Sequence, residues 1–187
     1  MLCPLRGPFS SCAARGFTML ELMVVVAILA VLAALAGPNM VPVIERWRVR
    51  QAVEEMTTTI AYARSEAIKR GGNVVVLRTT PETSQCGLPS SVADWRCGWT
   101  VFDDLNGNGA LDDGETLRVS PPSNGVSATN ANASGASFAI TRWGEAQGGG
   151  TLTFVFASTR TGSTVKTALC MGGGGRVRTK QGATTCD

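Results

Sequence analysis

Near the carboxyl end of the chain, Gly175-Arg176-Val177-Arg178 sets two arginines at alternate positions, with Lys180 two residues further on. In an extended segment residues two apart project to one side. Arg176 and Arg178 would then present two guanidinium groups to a single phosphate track, with Val177 turned the other way. Gly172 to Gly175 remove side-chain bulk just before them and admit close backbone approach. From Arg160 onward the charged residues are Arg160, Lys166, Arg176, Arg178 and Lys180 against Asp187 alone. A basic tail on a nearly neutral protein marks a partner site more than a solubility device. The bland alternative is an ordinary solvated tail. Arg160 and Lys166 join the patch only if the fold brings them near. Aromatic stacking is not evident beside it, and Trp143 is assigned a structural role in preference to single-strand contacts.

A second chemical feature lies at the other end. Glu21 sits inside an apolar run that continues unbroken to Ala36. A carboxylate near the centre of a bilayer-spanning helix costs about 2.5–3.5 kcal/mol on insertion scales and needs a named partner. A cut after Gly16 would supply one, because the new α-amino group of Phe17 lies about one helical turn from Glu21. A neighbouring subunit's amine could reach the same carboxylate. An ordinary secretory signal would carry small residues after its apolar core; here Gly16 precedes the core and Gly37-Pro38 follow it.

A third feature, Asp104 to Glu115, matches the calcium-loop spacing D-x-N-x-N-G-x5-E, with oxygen ligands on Asp104, Asn106, Asn108, Asp112 and Glu115. Its setting differs from that of a calcium loop. Both flanks read as strands, and Asn-Gly repeats also suit a hairpin turn, so a metal-free hairpin is expected, with calcium as the alternative. No other cofactor is expected.

Of six cysteines, Cys3 and Cys12 would leave with a leader, and Cys86, Cys97, Cys170 and Cys186 remain. Four cysteines in an exported head allow three pairings; closeness along the chain favours Cys86 with Cys97 and Cys170 with Cys186. There is no histidine. Imidazole-based triads are therefore impossible, no paired-carboxylate or phosphate-loop pattern stands in a fitting context, and catalytic residues are not expected.

Few helices and strands are needed to hold these residues. At 187 residues the chain fits one modest head on a membrane helix. Removing Arg6 and Arg15 with the leader from 17 basic residues leaves 15 against 14 acidic ones. Beyond Pro38 and Pro42, helical periodicity resumes with Ile44, Trp47, Val49, Val53, Met56, Ile60, Ala63 and Ala67 on one face. Arg46, Arg50, Glu54, Arg64 and Lys69 lie on the other. Pro38 should bend the junction and Gly71-Gly72 should end the helix. Short strand-like runs follow at Val74–Leu77, Trp99–Phe102, Leu117–Val119, Phe138–Ile140, Leu152–Phe156 and Val165–Met171. Loops separate them, notably Ser120–Gly135 and Gly148–Gly150. The expected divisions are 1–16 as leader, 17–37 as membrane or filament-core half of a helix, 38–71 as its amphipathic half, and 72–187 as a β-rich head with a basic C-terminal loop. The class is α+β, a long helix packed on an antiparallel sheet head.

The run GFTMLELMVVVAILAVLAALA, residues 16–36, resembles the amino-terminal signature of type IV prepilins and pseudopilins. That resemblance implies cleavage between Gly16 and Phe17 by a prepilin peptidase, N-methylation of Phe17, and assembly with other major and minor pilins through Phe17 and Glu21. ARSEAIKRGGNVVVL from Ala63 and CGWTVFDDLNGNG from Cys97 are similar to the FimT/GspH group of minor pilins and pseudopilins. Gly175-Arg176-Val177-Arg178 resembles the GRxR motif of FimT-like competence pilins. This implies DNA binding through Gly175, Arg176, Arg178 and Lys180, mainly to phosphates, during natural transformation. The implied location is the bacterial inner membrane, single-pass, with the head in the periplasm, and a pilus or pseudopilus after assembly. A GspH-like pseudopilin of type II secretion, or a minor pilin acting only in pilus assembly, would share every amino-terminal feature.

Overall fold

The computed structural model describes residues 17–36, 40–80, 86, 91–131 and 136–186. The expected leader with Gly16, and the expected bend at Pro38, lie outside the described residues. The chain divides into two compact units, Met1–Met40 and Val41–Asp187.

In the first unit, helix α1 runs Met19–Ala36. Thr18 caps it: the Glu21 amide donates to Thr18 Oγ1 at 3.1 Å, the first half of a Thr-x-x-Glu capping box. Glu21 therefore stands in the first turn, where the helix dipole favours a carboxylate. At 18 residues α1 is about 27 Å long. Among the described residues no helix is long and apolar enough to cross a membrane. The expected span, residues 17–37, reaches past α1 into residues outside that description.

The second unit opens with helix α2, Val41–Arg70. Pro42 is tolerated because the first helical turn has no intrahelical acceptor for its missing amide. Gly71 ends the helix at φ +84°, and the Gly72 amide donates to the Ala67 carbonyl at 2.8 Å, which is a Schellman closure. The buried stripe is Val49, Ala52, Val53, Met56, Thr59, Ile60, Ala63 and Ala67. Ile44 and Trp47, expected on that stripe, are instead 45% and 60% exposed, so the packed face begins only at Val49.

Among the described residues eight strands follow: β1 Val74–Arg78, β2 Trp99–Asp103, β3 Thr116–Ser120, β4 Val126–Asn130, β5 Ser137–Ile140, β6 Leu152–Ser158, β7 Lys166–Met171 and β8 Val177–Gln181. They form two antiparallel sheets, ordered β3-β2-β1-β5 and β4-β6-β7-β8. The expected α+β architecture, a helix packed on an antiparallel head, is thus present. Two expectations need correction. β4 lies inside the Ser120–Gly135 stretch read as loop, and the C-terminal segment read as a basic loop is edge strand β8.

Helix α2 packs against strands of both sheets. Its stripe meets Val74, Val76, Trp99, Val101, Phe154, Phe156, Leu169 and Met171 in one core that lies wholly within the second unit. The sheets meet through Trp95, Phe138 and Phe154, whose ring centroids are 5.1–5.8 Å apart. Each large aliphatic or aromatic side chain so buried contributes about 1.5–3 kcal/mol. The one buried hydroxyl of the α2 stripe is satisfied: Thr59 Oγ1 accepts from Trp99 Nε1 at 2.9 Å and donates to the Glu55 carbonyl at 2.8 Å. With its own core and both disulfides, this unit has what it needs to fold without the first.

Candidate nucleic-acid interface

The β7–β8 hairpin positions the paired arginines. Its turn is closed by the Gly172 amide donating to the Arg176 carbonyl at 3.0 Å and the Gly175 amide to Gly172 at 2.8 Å. Gly175 has φ +75°, open to glycine and strained for other residues. Register then pairs Met171 with Val177, Cys170 with Arg178 and Ala168 with Lys180. Paired residues share a face, so Val177 follows Met171 onto the core while Arg178 and Lys180 follow Cys170 and Ala168 onto the outer face. Arg176 and Arg178 are exposed. Neither guanidinium has a hydrogen-bond or ion-pair partner among the described residues. Lys180 is also exposed, and Lys166 lies on the same outer face by register. Arg160 does not join them. Its Nη1 lies 3.1 Å from Glu45 Oε1 on α2, and Ser163 Oγ donates to the other Glu45 oxygen at 2.6 Å. These bonds, Ser163 first and Arg160 second, hold the Glu45 carboxyl below the usual carboxylate range.

The sequence pattern places Arg64 on the polar face of α2. In the structure it is half-buried, and its Nη1 donates to the Gly175 carbonyl at 2.6 Å. The signal was present in the sequence: Ile60, Ala63, Arg64 and Ala67 have the i, i+3, i+4, i+7 spacing of one helical face. Its guanidinium lies between Gly175 and Gly144, and a Cβ on Gly175 would strike the Gly144 carbonyl oxygen and Arg64 Cζ. The corner so formed joins three segments distant in sequence: α2, the 141–145 turn and the β7–β8 turn. Trp143 stands on the second of these, 72% exposed, which overturns the structural role expected for it.

The disulfides join Cys86 to Cys97 and Cys170 to Cys186, with Cα separations of 5.5 and 5.8 Å. The second ties the segment after β8 back to β7, on the face that carries Arg178.

The Asp104–Glu115 segment is the connection of the β2–β3 hairpin. Its candidate ligands are engaged with the loop itself. Asp104 accepts from the amides of Asn108 and Gly109, at 3.0 and 2.9 Å. Glu115 accepts from those of Leu105 and Asp112, at 2.9 and 3.0 Å. Asp112 Oδ2 accepts from the side-chain amides of Asn106 and Asn108, at 2.7 and 2.8 Å. Among the described residues no group of three or more carboxylate, cysteine or histidine side chains is arranged to hold a metal ion.

At the amino-terminal end, Phe17 is exposed. Glu21 is exposed as well, and its carboxylate has no partner among the described residues.

Comparison with known proteins supplies the family. A family model described as Type II transport protein GspH matches residues 52–175, well over half of the chain. A second, the prokaryotic N-terminal methylation motif, matches residues 12–37. Two curated relatives, each named Fimbrial protein and from Pseudomonas aeruginosa, are 38% identical over 97 residues, 52% of this chain. The chain spans 56% of the length of those relatives. Two crystal forms of the type IV minor pilin FimU from the same organism share the fold at 19% identity. Their TM-scores are 0.54 and 0.57, covering 71% and 73% of this chain and 93% and 91% of theirs. The chain, with its methylation motif ahead of a helix-plus-sheet pilin head, belongs to the GspH family.

Proposed function

We propose that this chain is a FimT-like minor pilin that captures DNA for uptake in natural transformation. The observation that carries the reading is the pair of exposed guanidinium groups of Arg176 and Arg178, which have no partner among the described residues. They stand on a turn fixed by the Gly175 carbonyl, the Val177 contact with the core and the neighbouring disulfide. A scaffold that is already ordered lowers the entropy lost on binding. Lys180 and Lys166 extend the same face along β8 and β7. Contacts of this kind go to phosphates, so binding is weakly selective for sequence and strongly dependent on salt.

In the same reading a prepilin peptidase cuts between Gly16 and Phe17. Residues 17–37 hold the subunit in inner-membrane lipid with its head in the periplasm. Phe17 and Glu21 then register it among other major and minor pilins in the filament. A capped α1 whose Glu21 carboxylate has no partner among the described residues leaves that group available to a neighbour's amine.

Binding of a fluorescent duplex to the head, Val41–Asp187, tests the DNA assignment. The wild-type head should bind and Arg176→Ala/Arg178→Ala should bind at least tenfold more weakly, an order-of-magnitude expectation for two lost phosphate contacts. Equal binding by the two proteins sinks it.

The description of the matching family model favours a second reading, a pseudopilin of a type II secretion machine. Its head would contact other pseudopilins or cargo and would not need the two arginines.

A further inference from the structure

The exposed Trp143 is hard to account for as a packing residue. The other tryptophans of the head proper, Trp95 and Trp99, are fully buried, whereas Trp143 presents most of its ring to solvent. It is nevertheless held in place. Its turn is closed by the Gly144 amide donating to the Thr141 carbonyl at 2.8 Å and the Thr141 amide to Glu145 at 2.8 Å. The Thr141 hydroxyl accepts from the Trp143 amide at 3.3 Å. Ile140 and Ala146 bridge the base of the turn. Arg142 lies over the indole, its Cζ 5.4 Å from the ring centroid. Ile68 of α2, 58% exposed, approaches from the side of Gly144.

The position of this turn sets it beside the paired arginines. The Gly175 backbone lies close to the Gly144 carbonyl, with the Arg64 guanidinium beside both. Trp143 precedes the first glycine and Arg176 follows the second, so the indole and the paired arginines flank one corner. Arg142, Arg176 and Arg178 are all exposed; Glu145, half-buried, is the acidic residue of the turn.

Resting on the DNA reading above, we infer that Trp143 is a base-stacking platform for single-stranded DNA, with Arg142, Arg176 and Arg178 following the phosphates on either side of it. An indole face accepts any base, and a stacked base must be unpaired, so the site recognises single-stranded or frayed segments without sequence preference. The hydrogen-bonded turn matters because backbone already ordered at Trp143 loses little freedom on binding.

The test compares a short oligothymidylate with a duplex of equal length on the Val41–Asp187 head. Trp143→Ala should weaken single-strand binding about tenfold and leave duplex binding within about twofold; Trp143→Phe should retain most of it. Melting temperatures should match the wild type, since the ring buries little. Arg176→Ala/Arg178→Ala should weaken both ligands. If Trp143→Ala changes neither ligand, or both equally, the stacking site is wrong while the DNA reading stands. Loss of association between copies of the head, with single-strand binding intact, would make the Trp143 corner a protein contact and overturn the inference. If the wild-type head binds neither nucleic acid, both readings fall together.

Discussion

Gly175 has no room for a side chain, and its neighbours cannot move aside cheaply. An added methyl meets the Gly144 carbonyl and the Arg64 guanidinium at a φ of +75°, whereas the same addition at Gly174 meets nothing within 4 Å. Gly175→Ala should therefore destabilise the head by about 1–3 kcal/mol. Gly174→Ala should stay within about 0.5 kcal/mol, both read from urea melts. Equal effects would mean that the corner is not held as described. Glu45 makes a second prediction at this scale. Its carboxyl is depressed by Ser163 and Arg160, so whatever these bonds contribute is fully present above the ordinary glutamate value, about 4.3. It is lost as pH falls through the lowered folded value. Glu45→Gln should flatten the acid limb of the melting-temperature profile; an unchanged limb contradicts the assignment. Arg64 is concealed in the sequence because its charge suggests solvent while its helical angle turns it toward the Gly175 carbonyl.

At the scale of elements, the Cys170–Cys186 bridge closes a loop of sequence separation 16 around β8. Loop-closure entropy gives it about 3 kcal/mol. Cys170→Ser/Cys186→Ser should lower stability by roughly that amount and weaken DNA binding, because β8 is an edge strand with one neighbour. Reductant should reproduce the loss in stability in the wild-type head and have no such effect on a head that has already lost both bridges. The strands legible in the sequence were those with runs of large apolar or β-branched residues, such as Val74–Leu77 and Leu152–Phe156. β4, Val-Ser-Ala-Thr-Asn between glycine- and asparagine-rich flanks, carries no large apolar residue and only Val126 and Thr129 as strand formers, so its pattern resembles a loop. β8 was concealed by its charges: an edge strand with Arg178 and Lys180 on one face looks like a solvated tail until β7 pairs with it.

For the whole molecule, the amino-terminal signature announced a processed and assembled subunit, and the matches to GspH and to the methylation motif place the chain in that family. What the head grips was less legible. The GRVR spacing identified two side chains, but the corner that holds them is built by Arg64 from α2 and Gly144 from the 141–145 turn, contacts between residues far apart in sequence. The claim that Arg176 and Arg178 bind DNA phosphates can be read from one quantity, the slope of log K against log salt for duplex DNA. Between about 50 and 200 mM salt each phosphate contact contributes close to −0.9 to that slope. Arg176→Ala/Arg178→Ala should therefore make it shallower by about 2 while the melting temperature stays unchanged. A slope identical to that of the wild-type head would contradict the claim.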